Sequence, residues 1–392
     1  MVPDRRLARA FFCTLQFMKP DIYRQLQRHL DRMPVPFPET ESGVEISLLK
    51  QLFDQKEAYI ALQLSVIPES IDRIHSRFKG GEISKELLSS KLKGLFDKGA
   101  IMSVPHAKKG LLYSKLPLAI GIFEHQVNRI TKELAEDFFK YEDEGFAEAV
   151  LTSKTKQLRT IPVNISLDPE FLVGSYDNAR TLIKRSPGPF AVMNCVCRQA
   201  KEKMGKSCKQ TSILETCFTL GNAARFMVNK GVAREIDREE MNALMGRTEQ
   251  EGMVLQPGNA QDPGFICCCC GCCCGVLTAA KKFPKPAEFL QSNFYAKVDP
   301  IKCTACGECM ELCQMDALAP VNNHTEVLRD HCIGCGVCLN ACATDAISLL
   351  KTEKEDIPPK DNMAMYKKMF KERYGVIGTL KFMGKAALGK KI

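Results

Sequence analysis

Apolar positions at helical spacing predict three short helices in the first third of the chain, followed by a two-stranded hairpin. The segment DQKEAYIALQL begins with a capping box, Asp54 to Glu57, and predicts the first helix. The segment PESIDRIHSRF predicts a second short helix from Pro68. The segment SKELLSSKLKGLFDKGAI has an apolar face, a cap at Ser84 and an end near Gly99. The segment IMSVPHAKKGLLYSKL then predicts the hairpin.

Helical patterns also flank this region. Residues 1–40 predict two helices, RRLARAFFCTLQFM and DIYRQLQRHLDRM, in which Cys13 is a buried apolar residue. The segment LAIGIFEHQVNRITKELAEDFFKYEDE, which follows the hairpin, predicts one long helix. Further along, PFAVMNCVC predicts a buried strand that ends in a C-x-C pair, with both thiols on one face.

The order of three helices and a two-stranded wing over residues 41–120 resembles a winged-helix domain. Such a fold binds DNA in some proteins and docks other proteins elsewhere, so the fold alone does not settle the function. Residues 41–115 contain twelve Lys or Arg and nine Asp or Glu, a net charge of only +3. The third helix carries lysines but no Arg, Asn or Gln to read base edges. We therefore expect protein docking, with nucleic-acid binding as the less favoured alternative.

Twenty cysteines in 392 residues are many, and their close spacing favours metal thiolate ligation over a disulfide framework. Such thiols need a reducing compartment. The sequence shows no signal-peptide pattern, and its longest clean apolar run is LPLAIGIF, so we expect a soluble cytoplasmic protein. The net charge is +9, of which residues 351–392 supply +6. This basic tail is either disordered or an amphipathic helix that would suit an acidic partner or a membrane surface.

Two cysteine motifs near the carboxyl-terminal end repeat each other position by position. CTACGECMELCQMDAL, from Cys303, and CIGCGVCLNACATDAI, from Cys332, share the pattern C-x-x-C-G-x-C-x-x-x-C-x-x-D-A. Three cysteines at this spacing wrap three corners of an iron–sulfur cube, and the fourth ligates the other cluster. Gly307 and Gly336 relieve crowding where the backbone turns close to the inorganic core. The predicted ligands of the first [4Fe-4S] cluster are Cys303, Cys306, Cys309 and Cys342, and those of the second are Cys332, Cys335, Cys338 and Cys313.

Residues 295–350 resemble the bacterial two-cluster ferredoxins, which implies a ferredoxin-like domain with two clusters. The chain departs from that family because Gln314 and Ala343 stand where a proline usually follows the fourth cysteine. This departure removes no ligand, but we expect it to loosen a turn. Structural zinc is the alternative, although zinc sites prefer two separated pairs of cysteines per metal.

Eleven further cysteines lie between residues 195 and 274, seven of them in the run FICCCCGCCCGVL. Neighbouring side chains on an extended chain point to opposite faces, so these seven thiols cannot all serve one site. Gly271 and Gly275 break the run and let it fold around a ligand. An additional iron–sulfur cluster is the leading interpretation, zinc is the second, and incidental buried thiols are the third.

The order of CVCR, Cys208, Cys217 and the cysteine run resembles a set of uncharacterised iron–sulfur proteins of anaerobic bacteria that also end in a two-cluster ferredoxin module. In that pattern the position of Cys268 is often another residue. The resemblance implies seven ligands at a middle metal site, namely Cys195, Cys197, Cys208, Cys217, Cys267, Cys269 and Cys270. Arg198 would donate to a cluster sulfide or neutralise its charge, or else be an ordinary surface arginine.

These features predict a multi-domain α+β protein. Its predicted parts are N-terminal helices (1–40), a winged-helix-like domain (41–120), a helical connector (121–190), a cysteine-rich metal-binding domain (191–290), a dicluster ferredoxin-like domain (295–350) and the basic tail (351–392). We expect an electron-transfer protein or subunit that relays single electrons to or from a partner oxidoreductase. A redox-responsive DNA-binding regulator is the alternative. Catalysis at the cysteine-rich site has less support, because we find no catalytic motif.

Overall fold

The computed structural model describes residues 21–78, 82–163, 176–388 and 390–392. The helix predicted over RRLARAFFCTLQFM, with Cys13, lies outside these residues. The second amino-terminal helix is present as α1, Ile22–Leu30, and the carboxylate of Asp21 caps it by accepting a hydrogen bond from the Tyr23 amide. Its buried face, which includes Leu26, packs against the two helices that follow.

The three predicted helices and the hairpin follow in the predicted order, but a helix that was not predicted, Val44–Leu52, precedes them. The helices are α2 (Val44–Leu52), α3 (Gln55–Ala61), α4 (Ile71–His75) and α5 (Lys85–Asp97). The capping box of α3 is formed, since the Glu57 amide donates to Asp54 at 2.7 Å and the Asp54 amide donates to Glu57 at 2.8 Å. Helix α4 begins at Ile71 rather than at Pro68, because a short strand precedes it. That strand, β1 (Glu69–Ser70), joins β2 (Ile101–His106) and β3 (Gly110–Lys115) in an antiparallel sheet of order β1-β3-β2. The interpretation of this region as a winged helix stays a prediction.

The prediction of a single long helix after the hairpin is wrong. The backbone is non-helical from Ala119 to Gly121, and a short 3-10 turn follows. Helix α6 (Lys132–Tyr141) starts only where the Thr131 hydroxyl accepts a hydrogen bond from the Leu134 amide at 3.1 Å. Helix α7 (Ala147–Leu151) follows after a second break, at Gly145 with φ 143°. The apolar residues at the start of this segment fill the core as irregular chain, so their helical spacing was misleading.

One hydrophobic core is shared by helices α1 to α6 and the hairpin. Leu26, Leu49 and Leu92 are fully buried in it. Met193 and Val196, which come from the middle of the chain, belong to the same core. The amino-terminal helices and the middle part are therefore packed together rather than joined only by a connector.

The middle of the chain forms a five-stranded antiparallel sheet of order β6-β4-β5-β8-β7. Its strands are β4 (Phe190–Asn194), β5 (Glu215–Leu220), β6 (Arg234–Ile236), β7 (Val254–Pro257) and β8 (Phe265–Cys269). Its helices are α8 (Ala179–Arg185), α9 (Val196–Lys203), α10 (Asn222–Asn229), α11 (Arg238–Gln250) and α12 (Gly275–Ala280). Because β8 pairs with β5, Cys267 at the start of the cysteine run lies directly opposite Cys217.

The repeated cysteine motifs lie in a small unit built from two pairs of strands. Strand β9 (Phe294–Val298) pairs with β12 (Ile347–Lys351), and β10 (Leu318–Val321) pairs with β11 (His324–Val327), both antiparallel. Helix α13 (Glu308–Leu312) packs against a 3-10 turn, Val337–Ala341. A second hydrophobic core is continuous from the middle sheet into this unit, and it includes Ile266, Phe294 and Ile333.

The basic tail forms helix α14 (Asn362–Ala387), which is interrupted at Gly375 with φ 67°. The first half is anchored, because Met365 and Met369 are buried beside Val35. The second half exposes an apolar row made of Val376, Ile377, Leu380 and Met383. Among the described helices, none combines the length and the apolar character that crossing a membrane requires.

Two buried histidines make the stability of the first core depend on pH. Burial lowers the pKa of both His29 and His125 to about 3, so the folded chain keeps them neutral. The unfolded chain protonates them below their ordinary pKa of about 6.5, so their contribution to stability falls as the pH drops below about 7. Together the two histidines contribute a loss of about 2–3 kcal/mol between pH 7 and pH 5.5, and buried Glu124 and Glu142, whose pKa values are raised, contribute in the opposite direction.

The variant His29→Gln removes the contribution of one of the two histidines to the pH dependence of stability. The ring nitrogen Nε2 of His29 lies 2.8 Å from the Leu64 carbonyl oxygen, and a glutamine amide can keep this bond without titrating. Between pH 7 and pH 5.5 the variant is expected to lose about 1 kcal/mol less stability than the wild type, measured by urea denaturation followed by circular dichroism. Equal pH slopes in the variant and the wild type would contradict the assignment.

Candidate metal centres

The two repeated motifs adopt the same local backbone. Gly307 and Gly336 both have positive φ, 87° and 74°, where the chain turns into α13 and into the equivalent 3-10 turn. A side chain is disfavoured in this conformation, which is a reason for glycine at both positions. Asp316 and Asp345, three residues after the last cysteine of each motif, also match, with φ 52° and 49°.

Each predicted set of four cysteines lines its own cavity. The first ferredoxin set, Cys303, Cys306, Cys309 and Cys342, surrounds about 30 Å³. The second ferredoxin set, Cys313, Cys332, Cys335 and Cys338, surrounds about 20 Å³. In both cavities three cysteines come from one motif and the fourth comes from the other. The fold thus brings together the crossed combinations that the spacing predicts.

Backbone amides point at the sulfurs of both sets. The Ala317 amide lies 3.2 Å from the Cys313 sulfur, and the Ala346 amide lies 3.2 Å from the Cys342 sulfur. The repeat extends to a second pair of bonds, from Thr325 to Cys303 at 3.4 Å and from Ala296 to Cys332 at 3.3 Å. Such bonds favour thiolates, as a ligand set requires.

Burial acts against the thiolate form in the second set. It raises the pKa of Cys335 to about 12 and that of Cys338 well above its ordinary value. A bound metal deprotonates such a thiol outright, so the charge of the metal would offset this cost. Four thiols around one cavity, with amide donors aimed at them, fit a [4Fe-4S] cluster in each set.

The C-x-C pair lies at the junction of strand β4 and helix α9. Strand β4 ends at Asn194, Cys195 is the cap residue of α9, and Cys197 lies in its first turn. The prediction that both thiols project from one face of the strand is therefore wrong, because the helix starts before the pair is complete. The two sulfurs still interact: the hydrogen bond from Cys197 lowers the pKa of Cys195 to about 7.

The alternation expected along the cysteine run is present in β8. Cys267 and Cys269 interact with each other on one side of the strand. Cys268 lies on the other side, where the Thr248 hydroxyl donates to its sulfur at 3.3 Å. Burial raises the pKa of Cys268 to about 12, so this cysteine is an apolar core residue rather than part of the thiol groups.

The remaining middle cysteines divide into two groups. A cavity of about 190 Å³ is lined by six of them that do not belong to the second group, which we call the cavity group: Cys195, Cys197, Cys217, Cys267, Cys269 and Cys274. Cys268, Cys270 and Cys273 also line this cavity. The other four, which we call the compact group, have all their sulfurs within 4.8 Å of one another: Cys208, Cys270, Cys272 and Cys273. The seven predicted ligands therefore do not form one set, because Cys208 and Cys270 belong to the compact group.

Three members of these groups were missed by the sequence reasoning, namely Cys272, Cys273 and Cys274. A break at Gly271 was expected, but the resemblance implied no ligands after it. Strand β8 ends at Cys269, a turn follows at Gly271 and the chain then reverses, which returns the later thiols towards the earlier ones.

Two acidic side chains line the cavity beside the cavity group. Burial raises the pKa of Glu124 to about 7 and that of Glu142 to about 8. Negative charge on Cys267 and Cys195 adds to the shift at Glu124. These carboxyl groups can hold protons near neutral pH, so a change of charge on the thiols can be coupled to proton uptake.

Arg198 is 2% exposed, so it is not the ordinary surface arginine that was one alternative. Its guanidinium donates to the Cys268 carbonyl at 3.0 Å, contacts the Thr216 hydroxyl and lies 3.9 Å from the Cys270 sulfur. A buried positive charge at this position favours thiolates in the compact group. Hydrogen bonding from Cys273, together with this charge, lowers the pKa of Cys270 to about 4.

The comparison with protein families identifies one part of the chain. Residues 295–343 match the family of the 4Fe-4S dicluster domain. This region is a ferredoxin-type iron–sulfur domain. The match does not extend to the thiol groups of the middle sheet. Neither the curated proteins nor the solved structures contain a match to the chain.

The ferredoxin-type domain contacts the compact group through the residue that replaces the usual proline. The Gly271 amide donates to the Gln314 side-chain oxygen at 2.7 Å, and the Gln314 amide nitrogen donates to the Leu312 carbonyl at 3.1 Å. Gly271 lies between two members of the compact group, and Gln314 follows Cys313 of the second ferredoxin set. Gln314 therefore fixes a contact between two thiol sites, where we expected only a looser turn.

Proposed function

We propose that the protein transfers single electrons through two [4Fe-4S] clusters, one in each ferredoxin set, to or from a partner oxidoreductase. The observation that carries this proposal is the pair of cavities, each lined by four cysteines that are exchanged between the two motifs. A [4Fe-4S] cluster takes up or releases one electron with its charge spread over several metals and sulfides. Helix α13, which carries Cys309 of the first set, packs against the 3-10 turn that carries Cys338 of the second set.

The two ends of this relay differ in their contact with solvent. In the first ferredoxin set Cys306 is exposed, and the nearby Ile301 is 93% exposed. In the second set Cys332 and Cys338 are buried, and Gln314 joins that set to the middle sheet. We propose that the partner docks at the exposed first set and that the second set exchanges electrons with the interior.

The cavity group is the proposed site of a further iron–sulfur cluster. Its six thiols surround a cavity several times larger than those of the ferredoxin sets, about 190 Å³ against 20 and 30 Å³. Its chemistry suits iron, since thiolates are the usual ligands of such clusters. The adjacent Glu124 and Glu142 would take up protons as negative charge accumulates there.

The amino-terminal helices support protein docking better than nucleic-acid binding. Three of the four lysines of the third predicted helix are in ion pairs: Lys93 lies 2.7 Å from Asp97, Lys85 pairs with Asp72, and Lys98 pairs with Glu57. Charges that are already paired offer less attraction to phosphates. We therefore retain the redox relay in a reducing cytoplasm as the proposed function.

Anaerobic reconstitution tests the relay. We expect about eight irons and eight sulfides per chain from the ferredoxin-type domain, visible absorption that bleaches on reduction, and further iron with sulfide if the cavity group is loaded. Redox titration should show at least about two electrons per chain. Colourless protein with zinc and no acid-labile sulfide would contradict the proposal. Salt-dependent retardation of promoter DNA by the loaded protein would instead support the regulator.

A further inference from the structure

The compact group gathers thiols from two separate segments of the middle sheet. Cys208 lies in the loop that follows α9, and Cys270, Cys272 and Cys273 lie in the turn between β8 and α12. Two of the four are buried, since Cys270 and Cys273 are each 1% exposed, and Cys208 and Cys272 are half-buried. The fold has therefore brought four sulfurs to one point without any disulfide among the described cysteines.

The spacing of these sulfurs matches a tetrahedron around one metal ion. Cys208 lies 3.7 Å from both Cys270 and Cys272, and Cys272 lies 3.6 Å from both Cys270 and Cys273. A metal bound to four thiolates at about 2.3 Å, the distance typical of zinc, has sulfurs about 3.8 Å apart. The four pairs of sulfurs measured here lie close to that value.

The same spacing is too short for a cube. A [4Fe-4S] cluster places its four cysteine ligands on four different irons, so their sulfurs lie farther apart than around one ion. No three sulfurs of either ferredoxin set, all eight of which are described, lie within 4.8 Å of one another. The chain thus presents two geometries, an open one that suits clusters and a compact one that does not.

We propose that the compact group binds a single tetrahedral metal ion, Zn²⁺ or Fe²⁺, as a site separate from every iron–sulfur cluster. Four thiolates around a divalent ion carry a net charge of −2. The buried Arg198 guanidinium, 3.9 Å from the Cys270 sulfur, offsets part of that charge. The Lys209 amide, which hydrogen-bonds to Cys272, supplies a further donor.

The site would hold the cysteine turn against the ferredoxin-type domain. Gly271 lies between two of the ligands, and its amide donates to Gln314 at 2.7 Å. An ion bound to Cys270 and Cys272 fixes this turn from both sides. This proposal does not depend on the electron relay, since the ion would be present whether or not electrons pass through the clusters.

Metal and sulfide analysis of the anaerobically purified full-length chain tests the proposal. The double variant Cys208→Ser/Cys272→Ser changes the two members of the group that do not line the large cavity, and it is expected to lose about one metal ion per chain with unchanged acid-labile sulfide. The identity of that metal distinguishes zinc from iron. Cys268→Ser is the matched control. It changes a buried thiol of the same run that lies outside both groups, and serine keeps a hydroxyl partner for Thr248.

Two results would overturn the proposal. Loss of about four irons together with sulfide from the double variant would show a cluster, and unchanged metal content would show free thiols. If the double variant does not fold, native mass spectrometry of the wild-type chain decides. It should show one metal ion more than the clusters account for, with no accompanying sulfide. Absence of this extra ion would reject the site.

Discussion

Cys306→Ala is expected to remove about four irons and four sulfides per chain while leaving the second ferredoxin set loaded. Cys306 lines only the cavity of the first set, and its side chain is exposed, so the change opens no cavity in the core. We expect a cluster held by only three of its four thiolates to dissociate. Iron, sulfide and visible absorption per chain, measured after anaerobic reconstitution, give the result directly.

The control is Cys268→Ser, which removes a thiol from the same chain but from neither ferredoxin set. It should retain the iron and sulfide content of the wild type. Loss of all iron from Cys306→Ala would show that the two sets load only together. Full iron content in Cys306→Ala would show that this cysteine is not a ligand.

Gly271→Ala is expected to lower the free energy of unfolding by about 2–3 kcal/mol, through overpacking at a position where the backbone cannot yield. A methyl group on Gly271 would lie 2.2 Å from the Gln314 carbonyl oxygen and 3.0 Å from its carbonyl carbon. Both atoms belong to the main chain next to Cys313, so relief would require the ferredoxin-type domain to move away from the turn. Urea denaturation followed by circular dichroism measures the loss.

Two further variants separate packing from hydrogen bonding. Gly94→Ala, in α5, has no atom within 4 Å of the added methyl group and should be neutral or stabilising by up to about 1 kcal/mol. Gln314→Met keeps the bulk of the side chain but removes the acceptor for the Gly271 amide, so a loss of about 1 kcal/mol is expected. A Gly271→Ala protein as stable as the wild type would contradict the close approach.

The sequence predicted the ferredoxin-type domain in detail because its chemistry is local. Cysteines at fixed spacing, with Gly307 and Gly336 at the turns, indicate where the chain must bend. Because the motif occurs twice, the second copy supports the interpretation of the first. The capped helices of the amino-terminal part were also predictable. Asp54 and Ser84 each satisfy a free amide within three residues, so no distant contact is needed.

The grouping of the middle thiols could not be read from the sequence, because it depends on contacts between distant segments. Cys208 joins Cys270 through the path of a loop, and Cys217 meets Cys267 through strand pairing. The spacing of cysteines within a single run does not indicate which distant cysteine each of them contacts. Burial of Arg198 likewise follows from contacts of its side chain with Thr216 in β5 and Cys268 in β8.

The prediction of a long helix from residue 118 was wrong for a related reason. Apolar residues at helical spacing also suit an irregular buried segment, and Leu118, Ile122 and Phe123 are buried in the first core without forming a regular helix. The capping threonine at position 131 was the local signal that a new helix begins there.

The unequal enclosure of the two ferredoxin sets has a consequence for survival in air. Cys306 is open to solvent, whereas Cys332 and Cys338 are covered by the hydrophobic core of the middle sheet. With a cluster in each set, dissolved oxygen would reach the outer cluster first, and the inner cluster would persist longer. Repair would then start from a folded chain that keeps one cluster, rather than from an empty one.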